Sequence, residues 1–173
     1  GIGYAMTFAR AYKAATGRRV LLVPCAQTAT GFTTGHWNVG QSLYNAAVSR
    51  CNAALAAAPG SEFKGVLWHQ GESDVSATGT YAASVDAIIA GFRSSITGAT
   101  DVPFVAGGVA DDFVTATGAN GVTLQGIIAD AGNRNASAAY VSAAGLATSD
   151  GTHFTAASQR TLGGRYYTAW EAL

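Results

Sequence analysis

Two hydrophobic periods alternate along the chain. Tyr4, Phe8, Ala11 and Tyr12 recur at helical spacing within Ile2 to Ala15, and Gly17 supplies a stop. The next run, Arg19-Val-Leu-Leu-Val-Pro-Cys-Ala26, is almost continuously apolar and predicts a buried strand. Gln27 to Trp37 is polar and rich in Gly and Thr, which predicts a loop. Ser42 to Ala57 then reads as a helix that ends before Pro59-Gly60. Lys64 to His69 predicts a strand. Thr80 to Ile96 is a helix with Tyr81, Val85, Ile88, Ile89 and Phe92 on one face. Val102 to Val109 is a strand followed by a Gly/Asp-rich loop. Val122 to Asn133 is helical, Ala139 to Ala143 is a short strand, Ser149 to Thr155 is a loop, and Ala156 to Leu173 is the closing helix.

Four apolar strands separated by helices imply an α/β fold with a mostly parallel sheet covered on both faces. Such sheets bind ligands beyond the carboxyl ends of their strands. Three polar clusters fall there: Gln27 to Trp37, His69 to Asp74, and Asp150-Gly-Thr-His153. A length of 173 residues suits a single domain spanning the whole chain.

Composition narrows the partners. Ten basic residues balance ten acidic ones, with no run of either sign, so nothing points to nucleic acid. No apolar run approaches the roughly 20 residues that span a bilayer. Only 12% of residues are charged, against roughly 25% in ordinary soluble domains. That low charge suits an extracellular or virion-associated protein. The two cysteines, Cys25 and Cys51, read as buried thiols without the Cys/His spacing of a zinc site.

Each polar cluster carries a chemical reading and a plainer one. Asp150 lies three residues before His153, so its carboxylate can curl back to the imidazole Nδ1–H and leave Nε2 as a general base. Alternatively, Asp150 or Thr155 caps the last helix. His69 ends its strand as a ligand, a base or a satisfied histidine. Gln70 has an amide that could face an oxyanion. Glu72 and Asp74 form either an acid/base pair or supports for loop backbone. Trp37, Phe32 and Phe154 either line a pocket or pack beneath the loops.

Taken in order, these strings resemble a family. "VLWHQGESD" is similar to the signature of the SGNH/GDSL hydrolases in their sialate O-acetylesterase and acetylxylan esterase branch. "VLLVPCAQTATGF", "LYNAAVSRCNAAL", "VPFVAGGV" and "SDGTHFTAASQRTLGGRYYTAW" resemble the other blocks of that branch, from about Phe8 to Trp170. The resemblance implies a three-layer α/β/α sandwich of flavodoxin-like type and the hydrolysis of O-acetyl esters of carbohydrate. It implies His153 as base, Asp150 as its orienting carboxylate, Gln70 and the Ala29 N–H as oxyanion donors, and Glu72 as a brace. Thr30, Trp37, His69 and Phe154 would line the substrate site. No metal or organic cofactor is required.

Two departures from the family pattern set further expectations. The family's nucleophilic serine sits in a Gly-Gln-Ser-Asn block after a first strand, and the chain opens past that point. The expectation is therefore a sheet without its first strand, completed by an N-terminal segment or a neighbouring chain that supplies the serine. Gly40-Gln41-Ser42 is a poor substitute because it follows His-Trp-Asn-Val rather than a buried strand. The family's Gly-Gly-Thr loop reads Thr28-Ala29-Thr30, so a backbone needing positive φ would be strained at Ala29. These departures leave a second function open: a non-catalytic carbohydrate-binding or structural module, such as a virion appendage domain.

Overall fold

The computed structural model describes residues 3–173; Ile2, the first residue of the expected opening helix, lies outside them. Helix α1 spans Tyr4–Thr16 and stops at Gly17, which takes φ 68°. Helix α2 spans Ser42–Ala57, strand β1 Val66–Trp68, helix α3 Thr78–Ser95 and strand β2 Phe104–Gly107. Helices α4 (Asp111–Thr117), α5 (Ala119–Ala129) and α6 (Ala131–Arg134) follow, then strand β3 (Ala138–Val141) and helix α7 (Ala156–Glu171). A 3-10 turn, Glu72–Ala77, leads from β1 into α3.

The three strands form one parallel sheet in the order β1-β2-β3. Val66 pairs with Phe104, and Phe104 with Ala138. Alternation along the strands sends side chains to two cores. Phe104, Ala106 and Ala138 pack with Tyr44, Ile88, Ile89 and Leu124 beneath α2, α3 and α5. Val105 and Val141 pack with Phe8, Tyr12, Leu162 and Tyr166 beneath α1 and α7. This is the expected three-layer α/β/α arrangement. Helix α1 approaches α7 at a distance only glycine permits, because a Cβ on Gly163 would collide with the Tyr4 carbonyl oxygen.

Residues 19–26 depart from the expectation of a buried strand. They form no strand, none is fully buried, and Leu21 is 67% exposed. Among the described residues the run has no strand alongside it, so its amides gain no ladder. Val23 and Cys25 still lean on the α2 side, and Val20 on the α7 side. The second departure is α4, which falls where a loop was expected. Asp111 and Asp112 open it, and Gly118 at φ 58° separates it from α5. Two carboxylates at the positive end of a helix dipole outweigh the poor helix propensity of Gly and Thr nearby.

Candidate active site

Because the strands are parallel, their carboxyl ends share one rim, and His69–Asp74 begins directly after Trp68. Asp74 anchors this rim. It is 1% exposed, and its Oδ2 accepts from the Phe32 N–H at 2.9 Å and the Gln70 amide at 2.7 Å. Its Oδ1 accepts from the Thr33 N–H at 2.9 Å and the Thr33 hydroxyl at 2.6 Å. Gly31 makes this approach possible, since a Cβ there would lie 2.5 Å from Asp74 Oδ2. Asp74 is thus a support for loop backbone and not half of a carboxylate pair with Glu72. The same bond commits one of the two Gln70 amide protons, which leaves the second for a ligand.

His69 is held from the α7 side. Tyr166 donates its hydroxyl to the Trp68 carbonyl at 2.6 Å, so at 3.3 Å it accepts from His69 Nδ1–H. That fixes the tautomer and leaves Nε2 as a bare, buried acceptor without a hydrogen-bond partner among the described residues. Glu72 Oε1 lies 3.8 Å from this Nε2. Burial lowers the His69 pKa, and the Glu72 charge opposes that shift.

The Asp150–His153 pair forms as the spacing predicts. Asp150 Oδ2 meets His153 Nδ1 at 2.7 Å, and Asp150 Oδ1 accepts from the backbone N–H groups of His153 and Thr152 at 2.7 and 3.0 Å. The His153 N–H, then its ring, then the Thr152 N–H lower the Asp150 pKa to about 2. The hydrogen bond to Asp150, and then its charge, raise the pKa of His153. The loop is closed by Ser149 N–H on the His153 carbonyl at 2.8 Å and by the Thr148 hydroxyl on Asp112 at 2.5 Å. Thr155, not Asp150, caps α7 by accepting from the Ser158 N–H at 3.2 Å. The Asp150–His153 contact and the helix cap are therefore both present, on different residues.

The two loops converge. The Phe154 ring meets His69 edge-on at 5.5 Å, and Glu72 is close enough to add to the upward shift of His153. His153 remains 73% exposed, and among the described residues no donor or acceptor engages its Nε2. An NMR titration of the imidazoles should therefore separate them, with His153 protonating at a pH above 6.5 and His69 below it. The reverse order would contradict this geometry. The stability consequences are opposite in sign. The contribution of His153 is complete below 6.5 and fades as pH rises through its folded pKa. That of His69 is complete above 6.5 and fades as pH falls below it.

Two expected substrate-lining residues lie elsewhere. Trp37 is 5% and Thr30 7% exposed. Trp37 donates its indole N–H to the Thr30 hydroxyl at 3.0 Å and packs edge-on against Trp68, while that hydroxyl donates to the Gln27 carbonyl at 2.8 Å. Their polar atoms are spent on each other, so they brace the loop from inside the core. Ser42 opens α2 with its hydroxyl 3.3 Å from His36 Nδ1. Ala29 is exposed at φ 56°, which is the strained conformation expected if the glycine backbone is kept. Ala29→Gly should therefore stabilise the protein by about 1 kcal/mol in urea unfolding. No gain would mean that the loop relaxes without strain.

A sequence profile described as carbohydrate esterase, sialic acid-specific acetylesterase, matches residues 1–171. The chain belongs to this family. Among curated relatives of this chain, the probable carbohydrate esterase At4g34215 of Arabidopsis thaliana is 42% identical over 78 residues, covering 43% of this chain and 28% of that protein. The probable 9-O-acetyl-N-acetylneuraminic acid deacetylase of Escherichia coli is 31% identical over 114 residues, covering 51% of this chain and 35% of the relative. The matched regions thus span about a third of those proteins. The X-ray structure of the Arabidopsis protein superposes with a TM-score of 0.85 at 29% identity, covering 99% of this chain and 69% of that one. The crystal structure of NanS gives 0.84 at 21% identity, with 98% and 70% covered, a likeness of fold alone. Among the described residues no cluster of His, Cys, Asp and Glu could hold a metal ion, and no helix is long and apolar enough to cross a membrane.

The sequence reading placed Tyr4 and Tyr81 on the apolar faces of their helices and did not single out Tyr166; the hydroxyls of Tyr166, Tyr81 and Tyr4 buttress β1 and its loop through the Trp68, Gln70 and Leu67 carbonyls. Tyr166 and Tyr81 are among the most deeply buried large side chains. Their helical spacing marks them as core, but nothing local shows which carbonyl each hydroxyl reaches.

Proposed function

We propose that this chain provides the base-bearing part of a serine esterase that removes O-acetyl groups from carbohydrate. The observation that carries the reading is the Asp150–His153 pair, ordered at 2.7 Å with Nε2 free, on the rim that also holds Gln70 and Glu72. The serine would come from an N-terminal segment or neighbouring chain outside these 173 residues. Its Oγ attacks the acetyl carbonyl carbon while His153 Nε2 takes the proton, and Asp150 stabilises the resulting imidazolium. The Ala29 N–H and the second Gln70 amide N–H face the developing oxyanion. His153 returns the proton to the departing sugar oxygen. It then takes one from the water that attacks the acetyl-enzyme carbonyl and passes it to the serine Oγ as the acyl bond breaks, releasing acetate. Phe154 and His69 would form the wall against the sugar. The E. coli relative is named for an acetylated sugar acid, which supports O-acetylated carbohydrate as the substrate class.

The test is acetate release from O-acetylated saccharides by the full-length protein. Release is the expected result. A folded full-length protein that binds such saccharides but frees no acetate would replace the esterase reading with that of a carbohydrate-binding module.

A further inference from the structure

Tyr166, His69 and Glu72 stand in a line in which the backbone decides where one proton sits. The Tyr166 hydroxyl has a single proton, and the 2.6 Å bond to the Trp68 carbonyl takes it. Towards His69 the hydroxyl can only accept, so at 3.3 Å the ring carries its proton on Nδ1. Gly107, at the end of β2, leaves room for this contact. A Cβ there would collide with the Tyr166 hydroxyl and lie 2.6 Å from His69 Nδ1. Burial lowers the pKa of the ring, so at neutral pH it holds that one proton only. On its far side two acceptors face each other, the bare Nε2 and Glu72 Oε1, 3.8 Å apart. Glu72 is 26% exposed, and among the described residues no hydrogen-bond donor reaches it. Were the ring proton on Nε2, it would point at this carboxylate. A charge-assisted N–H···O bond would then draw Glu72 inward, onto a buried atom.

We propose that Tyr166 is a positioning residue which, by fixing the His69 tautomer, keeps the Glu72 carboxylate unbonded so that it accepts from a free hydroxyl of the sugar bearing the acetyl ester. The identity of this ligand rests on the esterase reading; the tautomer does not. The place of Glu72 suits a sugar contact. His69 beside it abuts the Phe154 ring at 5.5 Å, and Phe154 directly follows His153, the base in the esterase reading. A hydroxyl bonded to a carboxylate makes a charge-assisted contact. A site that offers an acceptor without a donor of its own also discriminates. A ligand lacking the hydroxyl would cover the carboxylate and leave it unpaired. Tyr166 itself never meets the ligand, because it is 0% exposed and acts only through the ring.

The test has two arms, both on the full-length protein. The first is NMR of the labelled imidazole nitrogens at a pH above their midpoints. Wild-type His69 should show a protonated Nδ1 and a bare Nε2, and Tyr166→Phe should move the proton to Nε2. A wild-type ring protonated on Nε2 overturns the proposal, whether or not the variant folds. The second arm compares a mono-O-acetylated methyl glucoside, the same ester with its remaining hydroxyls methylated, and p-nitrophenyl acetate. Tyr166→Phe should raise KM several-fold for the glucoside, with kcat little changed, and leave KM for the other two esters in place. In a Glu72→Gln background the same substitution should add nothing. An equal rise for all three esters, no rise for the glucoside, or an undiminished rise without Glu72 each overturns the proposal. A wild-type protein that frees no acetate from any ester refutes the esterase reading instead. The glucoside comparison is then read as a several-fold rise in Kd, and an unchanged Kd overturns the proposal.

Discussion

Asp74→Ala is expected to destabilise the protein by about 3–5 kcal/mol, the largest loss for any single side chain at the rim. Its carboxylate collects the Phe32 and Thr33 N–H groups, the Thr33 hydroxyl and the Gln70 amide while 1% exposed. Truncation leaves all four donors facing an apolar gap. Asp74→Asn keeps the volume but places N–H groups against one pair of donors, so it should recover only part of the loss. The 27–37 loop could open alone and cap the global effect. In that case urea unfolding would register less, but the Phe32 and Thr33 amides would lose hydrogen-exchange protection. A variant with unchanged unfolding and unchanged protection at both amides would show that the carboxylate does not anchor the loop. A midpoint lowered by roughly 10 °C is the matching thermal readout.

Asp74 also shows what the sequence could reveal about this site. The apolar runs that became β1, β2 and β3 carry enough hydrophobic pattern to announce a parallel sheet. The polar residues after Trp68 could be placed on the rim from that alone. The i, i+3 spacing of Asp150 and His153 was sufficient because their pairing is local and needs only a turn. Contacts across the chain were not legible. Nothing near Asp74 indicates that its partners lie at Phe32 and Thr33, and nothing near Trp37 shows that it turns inward to Thr30. The run 19–26 misleads for a related reason. Its pattern records what a strand needs on its two faces, but strand formation also requires a neighbour's backbone, and the described residues provide none. Helix α4 was hidden because its stabilising feature, paired acids at the amino end, is electrostatic and leaves no hydrophobic periodicity.

In the full-length protein, His153→Ala should lower acetyl-ester hydrolysis by about 10³-fold or more, and Asp150→Asn by roughly 10²–10⁴-fold. The second substitution is the more informative. An asparagine at 150 can still accept from the Thr152 and His153 N–H groups through its oxygen, so the loop keeps its shape. Its amide N–H₂, however, then faces His153 Nδ1. The ring responds by accepting there and carrying its proton on Nε2, where it can no longer act as the base. Because His153 is 73% and Asp150 53% exposed, solvent screens part of the carboxylate's charge. The loss should therefore come mainly from the tautomer. The pH profile separates the two causes. Asp150 raises the His153 pKa, so wild-type activity should rise as pH passes a midpoint above 6.5. Removing the charge brings that midpoint down towards 6.5, and the acid limb moves to lower pH even as the plateau falls. A purely structural lesion would lower the plateau and leave the midpoint in place. Combining Asp150→Asn with His153→Ala should cost no more than His153→Ala alone, since the carboxylate acts only through the ring. A double variant far slower than the single one would give Asp150 a separate task and break the proposed chain from carboxylate to imidazole to serine.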